Sequence, residues 1–353
     1  MANDDAFAVG EPVYVWDWIE VKPGEQAAVD DLFASVYQPL AAERGLVLLE
    51  RQWCPPLIRS GQCNHLLLKW QYANLGALWG ARGVEETDLR LQTFWRQDIA
   101  PRIVSRERHL SRPDLNTDLP PRGPAVESRA PAAGLRRVVF LKPEQSLTVA
   151  AQGPWVQGIE GMNGRPGIRA SAGGVNEGGY TGRPGELTWD IVADSADLPI
   201  AELEPALPGK VTVEEVVTIG ECLGWGYESK PMPEGIKRTI LLKVKDSASS
   251  SEIEKMEQIL IEWAQQLPEM VSWSLSRVAS STGAVDWSHC YEQEFTHASA
   301  VTEGYLNHPF HWAVADRYFH PEAHEQTADV FFHSIRPAFR AMLGPFCRGE
   351  FDQ

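Results

Sequence analysis

Tyr305-Leu306-Asn307-His308-Pro309-Phe310-His311, within residues 286–335, is the stretch on which the reading of this chain turns. Seven of the nine histidines fall between His289 and His333, a concentration expected of a site. Residues 288–295, Ser-His-Cys-Tyr-Glu-Gln-Glu-Phe, read as a strand with one wet and one packed face. A helix is expected over 298–306. Pro309 removes a backbone donor and disfavours helical geometry at His308, so that helix has to end or restart there. A second helical run follows from Phe310 to about Tyr318. His311 then sits near a helix start, where partial positive charge favours a neutral imidazole over imidazolium.

An opening strand, Lys237-Arg238-Thr239-Ile240-Leu241-Leu242-Lys243, and a closing one, Val330-Phe331-Phe332-His333, frame this run. The framed segment resembles the stress-responsive dimeric α/β-barrel family, whose plant polyketide cyclase ends its second helix with the same Tyr-x-x-His-Pro-x-His run. The resemblance implies a ferredoxin-like βαββαβ unit whose sheet closes into a barrel with a second such unit. It also implies Tyr305 as the acid-side hydrogen-bond donor and His311 as the general base. Arg238 stands where the cyclase has a first-strand histidine, so the reaction does not carry over with the fold.

The rest of the chain repeats the pattern. Residues 13–21 alternate like a strand, 25–44 carry Ala28, Leu32, Val36 and Leu40 at helical spacing, and Gly45 stands where a C-cap belongs. Residues 46–53 and 65–70 read as a strand pair, 74–81 and 87–99 as helical, and 102–109 as a closing strand. Cys54-Pro55-Pro56, with Arg59, falls in the hairpin between the middle strands and reads as loop structure.

Five prolines in 111–134 mark an extended linker. Strands are expected at 135–141, 168–175, 187–193 and 211–222, with a short helix at 155–162. The second helix of this middle unit is hard to find, because 197–206 is broken by proline. The glycine-rich run 173–182 lacks a P-loop or dinucleotide spacing and reads as a hairpin loop. The last unit opens with a strand at 236–244, followed by a helix at 249–265 with Ile253, Met256, Ile259, Leu260 and Trp263 as its buried stripe.

The expected fold is therefore α+β, with tandem ferredoxin-like modules forming dimeric α/β barrels. The modules are 1–111, a degenerate 135–229 and 235–353, with a linker at 112–134.

At 353 residues and 43% hydrophobic, the chain is long enough for two to three domains. No run approaches a membrane span, and the first ten residues lack signal-peptide character, so a cytoplasmic protein is expected. A net charge of −16 opposes nucleic acid and anionic membranes. The five cysteines are scattered without a metal spacing and read as reduced thiols. Thirteen tryptophans suit an apolar or aromatic ligand pocket.

Three functions compete. The first is a cofactor-independent acid–base lyase, cyclase or isomerase acting on a small aromatic or polyketide-like substrate, with His311 and Tyr305 catalytic. Arg238, His289, Tyr291, His308, Trp273, Trp287 and His333 are its expected substrate-binding residues, with no metal. The second follows from a resemblance to aldoxime dehydratases and implies haem ligated by His311, with His333 catalytic. The third is a ligand-binding stress protein without turnover. A homodimer through the first module is expected, because a lone module exposes its sheet face.

Overall fold

The computed structural model describes residues 10–85, 88–113, 122–127, 135–145, 147–177, 186–195 and 197–348. Most of the linker expected at 112–134, and the Gly178–Gly182 half of the glycine-rich run, lie outside the described residues. The chain divides into two units, residues 1–119 with 306–327, and residues 120–305 with 328–353.

In the first unit, alternation along β1 (Val13–Val21) buries Val13, Val15, Ile19 and Val21 on one face. Helix α1 (residues 26–43) supplies Val29, Phe33, Tyr37 and Leu40 to the same core. It ends before Gly45, whose φ of +78° suits the left-handed position after a helix. Strands β2 (Val47–Cys54) and β3 (Asn64–Tyr72), helices α2 (Leu75–Glu85) and α3 (residues 89–102), and β4 (Ile103–Ser111) complete the unit. The sheet order is β2-β3-β1-β4, all antiparallel, which is the ferredoxin-like arrangement. Aromatic rings fill its core, with Tyr37 stacked on Phe94 at 4.9 Å and Phe33 edge-on to Phe94 at 5.2 Å.

The second unit contains two more modules of the same order. The middle module comprises β5 (Arg136–Pro143), α4 (Val149–Glu160), β6 (Ile168–Val175), β7 (Leu187–Ala193), α5 (Ile200–Leu203) and β8 (Val211–Tyr227). Its second helix shrinks to the single turn α5, as the prolines of that region dictate. The last module comprises β9 (Ile236–Val244), α6 (Ser250–Ala264), β10 (Met270–Ser281), β11 (His289–Phe295), α7 (Ala300–Tyr305) and β12 (Ala328–Pro337). Helix α6 starts in a capping box: Ser249 Oγ accepts from Glu252 N, and the Glu252 carboxylate accepts from Ser249 N.

The two modules share one eight-stranded sheet, order β12-β9-β11-β10-β8-β5-β7-β6, joined where β8 pairs antiparallel with β10. The sheet curls until its ends meet. Glu177 N donates to Ile335 O at 2.8 Å, and a side chain at Gly174 would press on Arg336 Cβ at 3.2 Å. Every residue of β7 and β11 is buried, because helices cover one face and the curled sheet encloses the other.

Residues 306–327, which fall within the expected last module, group with the first unit. There Arg82 binds Asp316 through two N–H groups at 2.9 and 3.0 Å, and Arg108 and Arg44 hold Glu322. The expected helices at 298–306 and 310–318 are present as α7 and α8 (Phe310–Ala315), with a short turn after α8.

Inside the curled sheet, Lys237 on β9 binds Asp190 of β7 and Glu292 of β11, at 2.7 Å from the latter. Arg336 donates Nε to Asp190 at 3.2 Å, and Arg136 pairs with Glu292. All five side chains are at most 4% exposed. Removing the central cation leaves two carboxylates buried and under-paired, at a cost of roughly 3–5 kcal/mol. Lys237→Met is therefore expected to lower the urea midpoint strongly at neutral pH. A midpoint equal to that of the wild type would show that the cluster does not hold the modules together.

Candidate functional site

Strand parity sorts the last module's residues onto two faces. Lys237, Thr239 and Leu241 of β9 turn into the curled sheet, whereas Arg238 turns toward the helices. On β11, Glu292 points inward, while His289, Tyr291 and Gln293 point toward α6 and α7.

On the helix side a polar cluster forms around Arg238, 4% exposed. Its Nη1 donates to Gln293 Oε1 at 3.2 Å and its Nη2 to His333 Nδ1 at 3.1 Å, and its guanidinium lies 4.4 Å from the centre of the Tyr305 ring. Tyr305 is itself edge-on to Trp263 at 5.0 Å and to Phe295 at 6.4 Å. An arginine can only donate, so His333 Nδ1 carries a lone pair and the ring proton of neutral His333 sits on Nε2. Among the described residues no carboxylate pairs with Arg238, and its Nε has no acceptor although it is buried. Gln293 Nε2 makes no hydrogen bond of ordinary geometry either, although the Gln293 amide lies beside the Tyr291 hydroxyl. Tyr291 donates its hydroxyl to Leu260 O at 3.0 Å, and burial pushes its pKa up.

The other expected residues take different places. His289 shares the Tyr291 face but is engaged, with Nε2 2.9 Å from Glu257 Oε1 and Nδ1 2.9 Å from Ser288 Oγ. Burial nevertheless lowers its pKa, against the pull of Glu257. Trp273 is fully buried and donates to Pro124 O at 2.9 Å. Trp287 does not wall the helix side; it packs with Val138, Phe140, Leu241 and Phe332. Tyr305 belongs to the second unit, whereas His308 and His311 belong to the first. In that unit the His311 ring stacks on Trp79 at 5.0 Å, and His308 Nδ1 accepts from Phe310 N at 3.1 Å.

The first unit has a second charged cluster, which the sequence pattern does not reveal. Glu322 accepts from Arg108 at 2.7 Å, from Arg44 at 3.3 Å and from Trp95 Nε1 at 2.9 Å. Glu85 accepts from Arg44 at 2.6 Å and from the Tyr72 hydroxyl at 3.2 Å, and lies 3.3 Å from His320 Nε2. Burial and the Glu322 charge push Glu85 up to about 7. Burial also acts to raise Glu322, but Arg108 and Arg44 outweigh it and hold that carboxyl well below its usual range. His320 is kept neutral by burial, with Arg82 adding to the effect.

Ligand atoms of Glu85, His320 and Glu322 approach one another within 4.8 Å, as in a metal triad. Charge argues for a different role. The guanidiniums of Arg44, Arg82, Arg106 and Arg108 already face the carboxylates of Asp17, Glu85, Asp316 and Glu322, so a dication would add charge with no anion to meet it. The cluster reads as the ionic core that fastens 306–327 to its unit, whereas Arg238 has no carboxylate partner among the described residues.

Residues 236–330 match the family model of the stress responsive A/B barrel domain. No curated protein matches the chain. Among solved structures, a NIPSNAP family protein of unknown function from Agrobacterium tumefaciens is similar over 31% of this chain and 93% of its own, at 16% identity and a TM-score of 0.25. A dimeric protein of unknown function with a ferredoxin-like fold, from Bacteroides fragilis, is similar over 30% and 96%, at 15% identity and a TM-score of 0.24. An anthrone oxidase-like protein is similar over 57% and 90%, at 9% identity and a TM-score of 0.39.

His308 provides a pH test. Burial pulls its pKa from 6.5 down to about 4, so the folded chain holds it neutral while the unfolded chain protonates it first. Its contribution to stability is complete above pH 6.5 and is lost as pH falls toward 4, by about 1.4 kcal/mol for each pH unit crossed. His308→Asn keeps an acceptor for the Phe310 amide and is expected to lose less stability on acidification than the wild type. Equal losses in both proteins would remove His308 as an acid-sensitive group.

Proposed function

We propose that the last module binds a small aromatic or polyketide-like molecule through an anionic oxygen and catalyses an acid–base lyase, cyclase or isomerase reaction on it. The supporting observation is Arg238, a buried guanidinium met, among the described residues, only by neutral groups in a chain of net charge −16. A buried charge without a counter-charge costs stability, and a ligand oxyanion against Arg238 Nε would offset that cost.

The surrounding groups suit the same ligand. Arg238 Nε and neutral His333 Nε2 are donors, and the Tyr305 hydroxyl and Gln293 amide can add two more. Such donors favour an enolate or phenolate oxygen over its neutral precursor, which lowers the barrier to removing a neighbouring proton. The Tyr305, Trp263 and Phe295 rings offer an aromatic substrate apolar faces. His311 is assigned as the general base on the strength of the Tyr-x-x-His-Pro-x-His pattern.

The test is a screen of phenolic, 1,3-dicarbonyl and aldoxime compounds with the full chain, recording the haem Soret region alongside. Arg238→Met is expected to lower kcat/KM by about a hundredfold to a thousandfold. His311→Ala should cost about a hundredfold to ten-thousandfold, and Tyr305→Phe less, because phenylalanine keeps the ring and loses only the hydroxyl. Unchanged turnover in Arg238→Met would overturn the oxyanion role, and unchanged turnover in His311→Ala would remove His311 as base. A Soret band with activity on aldoximes would favour the haem enzyme.

A further inference from the structure

We infer that the first unit carries a separate site for a neutral, largely apolar ring compound, in the cavity between the first turn of α1 and the β2–β3 connection. The cavity measures about 450 Å³, inside the range of roughly 300–1,000 Å³ that small-molecule sites occupy.

Its frame is fixed by buried amides. Asn64, 2% exposed, donates Nδ2 to Pro55 O at 2.9 Å and to Leu57 O at 3.0 Å, and its Oδ1 accepts from Gln26 Nε2 at 3.0 Å. Gln26 Oε1 in turn accepts from Gly24 N at 3.0 Å. These bonds tie the connecting loop to the start of α1, so its walls are held apart rather than free to collapse together. The floor's amide groups are thereby occupied.

The charge at the rim is balanced as well. Asp30 pairs with Arg51 and accepts from Trp53 Nε1 at 3.2 Å. What the cavity then offers a ligand is the Trp53 ring, the Pro55 and Pro56 rings, the Ala27 methyl, and the Leu57 and Ile58 side chains. Leu57 is 56% exposed and Ile58 68% exposed, and covering such surface is favourable by about 25 cal/mol per Å². A charged ligand would lose hydration here without gaining a partner, whereas a neutral ring would gain contact on several sides. The chemistry is the opposite of that at Arg238, so this site stands or falls apart from the proposed reaction.

Fluoroindole titrated into the full chain and followed by fluorine NMR relaxation tests the inference. One saturable site is expected. Ala27→Trp, a change on an exposed helix position, should fill the cavity and weaken binding at least about tenfold with an unchanged thermal midpoint. Ile58→Ser, at an exposed position that folding tolerates, should weaken it by a smaller factor. No saturable binding at millimolar probe, or equal affinity in the wild type and both variants, would overturn the site. A wild-type chain that self-associates without binding the probe, and that Ala27→Trp dissociates, would identify the cavity as a contact between copies and equally overturn it.

Discussion

Lys237 grips carboxylates from two modules at once, Asp190 from the middle one and Glu292 from the last, inside the curled sheet. Arg336 and Arg136 complete the cluster from β12 and β5, so its five members come from five strands. Each charge is tolerable in that interior only because the others are present. The cluster thus specifies register as much as stability. Slipping β9 by one residue would turn Lys237 outward and bring Arg238 in, exchanging the bridging lysine for a longer, planar group at the barrel's centre.

The same parity positions the candidate site. Because Lys237 must face inward, its neighbour Arg238 must face the helices, where it meets Gln293, His333 and the Tyr305 ring. Gln293 is presented there for the matching reason, as the residue after the inward Glu292. Adjacent residues on two paired strands therefore supply a structural ion cluster on one face and the candidate polar cluster on the other. The first unit lacks this division: its arginines and carboxylates balance within one core, and residues 306–327 are drawn in as part of that balance.

The strand and helix order of the first and last modules was legible because their alternating and helical periods are clean, as in β1 and α6. The short α5 was legible as an absence, since proline removes backbone donors wherever it stands. Arg238, Tyr305 and His333 are three of the expected site residues, and the structure brings these three together. Gln293 was missed because its strand was expected to have one wet face, whereas β11 is buried on both, so a polar side chain there faces a partner and not water. The ion clusters were missed for a related reason: Asp190, Glu292 and Lys237 look like solvent-facing charges in short strands until the partner strands from another module are known. The separation of His311 from Tyr305 into different units depends on ion pairs, such as Arg82 with Asp316, that span more than two hundred residues of sequence.

Native-state hydrogen exchange across the β8–β10 junction tests the central claim most directly, because that pairing exists only if the middle and last modules form one sheet. The account predicts that amides of β5, β8, β10 and β11 open together, in one cooperative unit with a single free energy. Protection that is lost from β5 and β8 at a lower free energy, while β9 to β12 remain closed, would contradict it and leave two modules folding independently side by side.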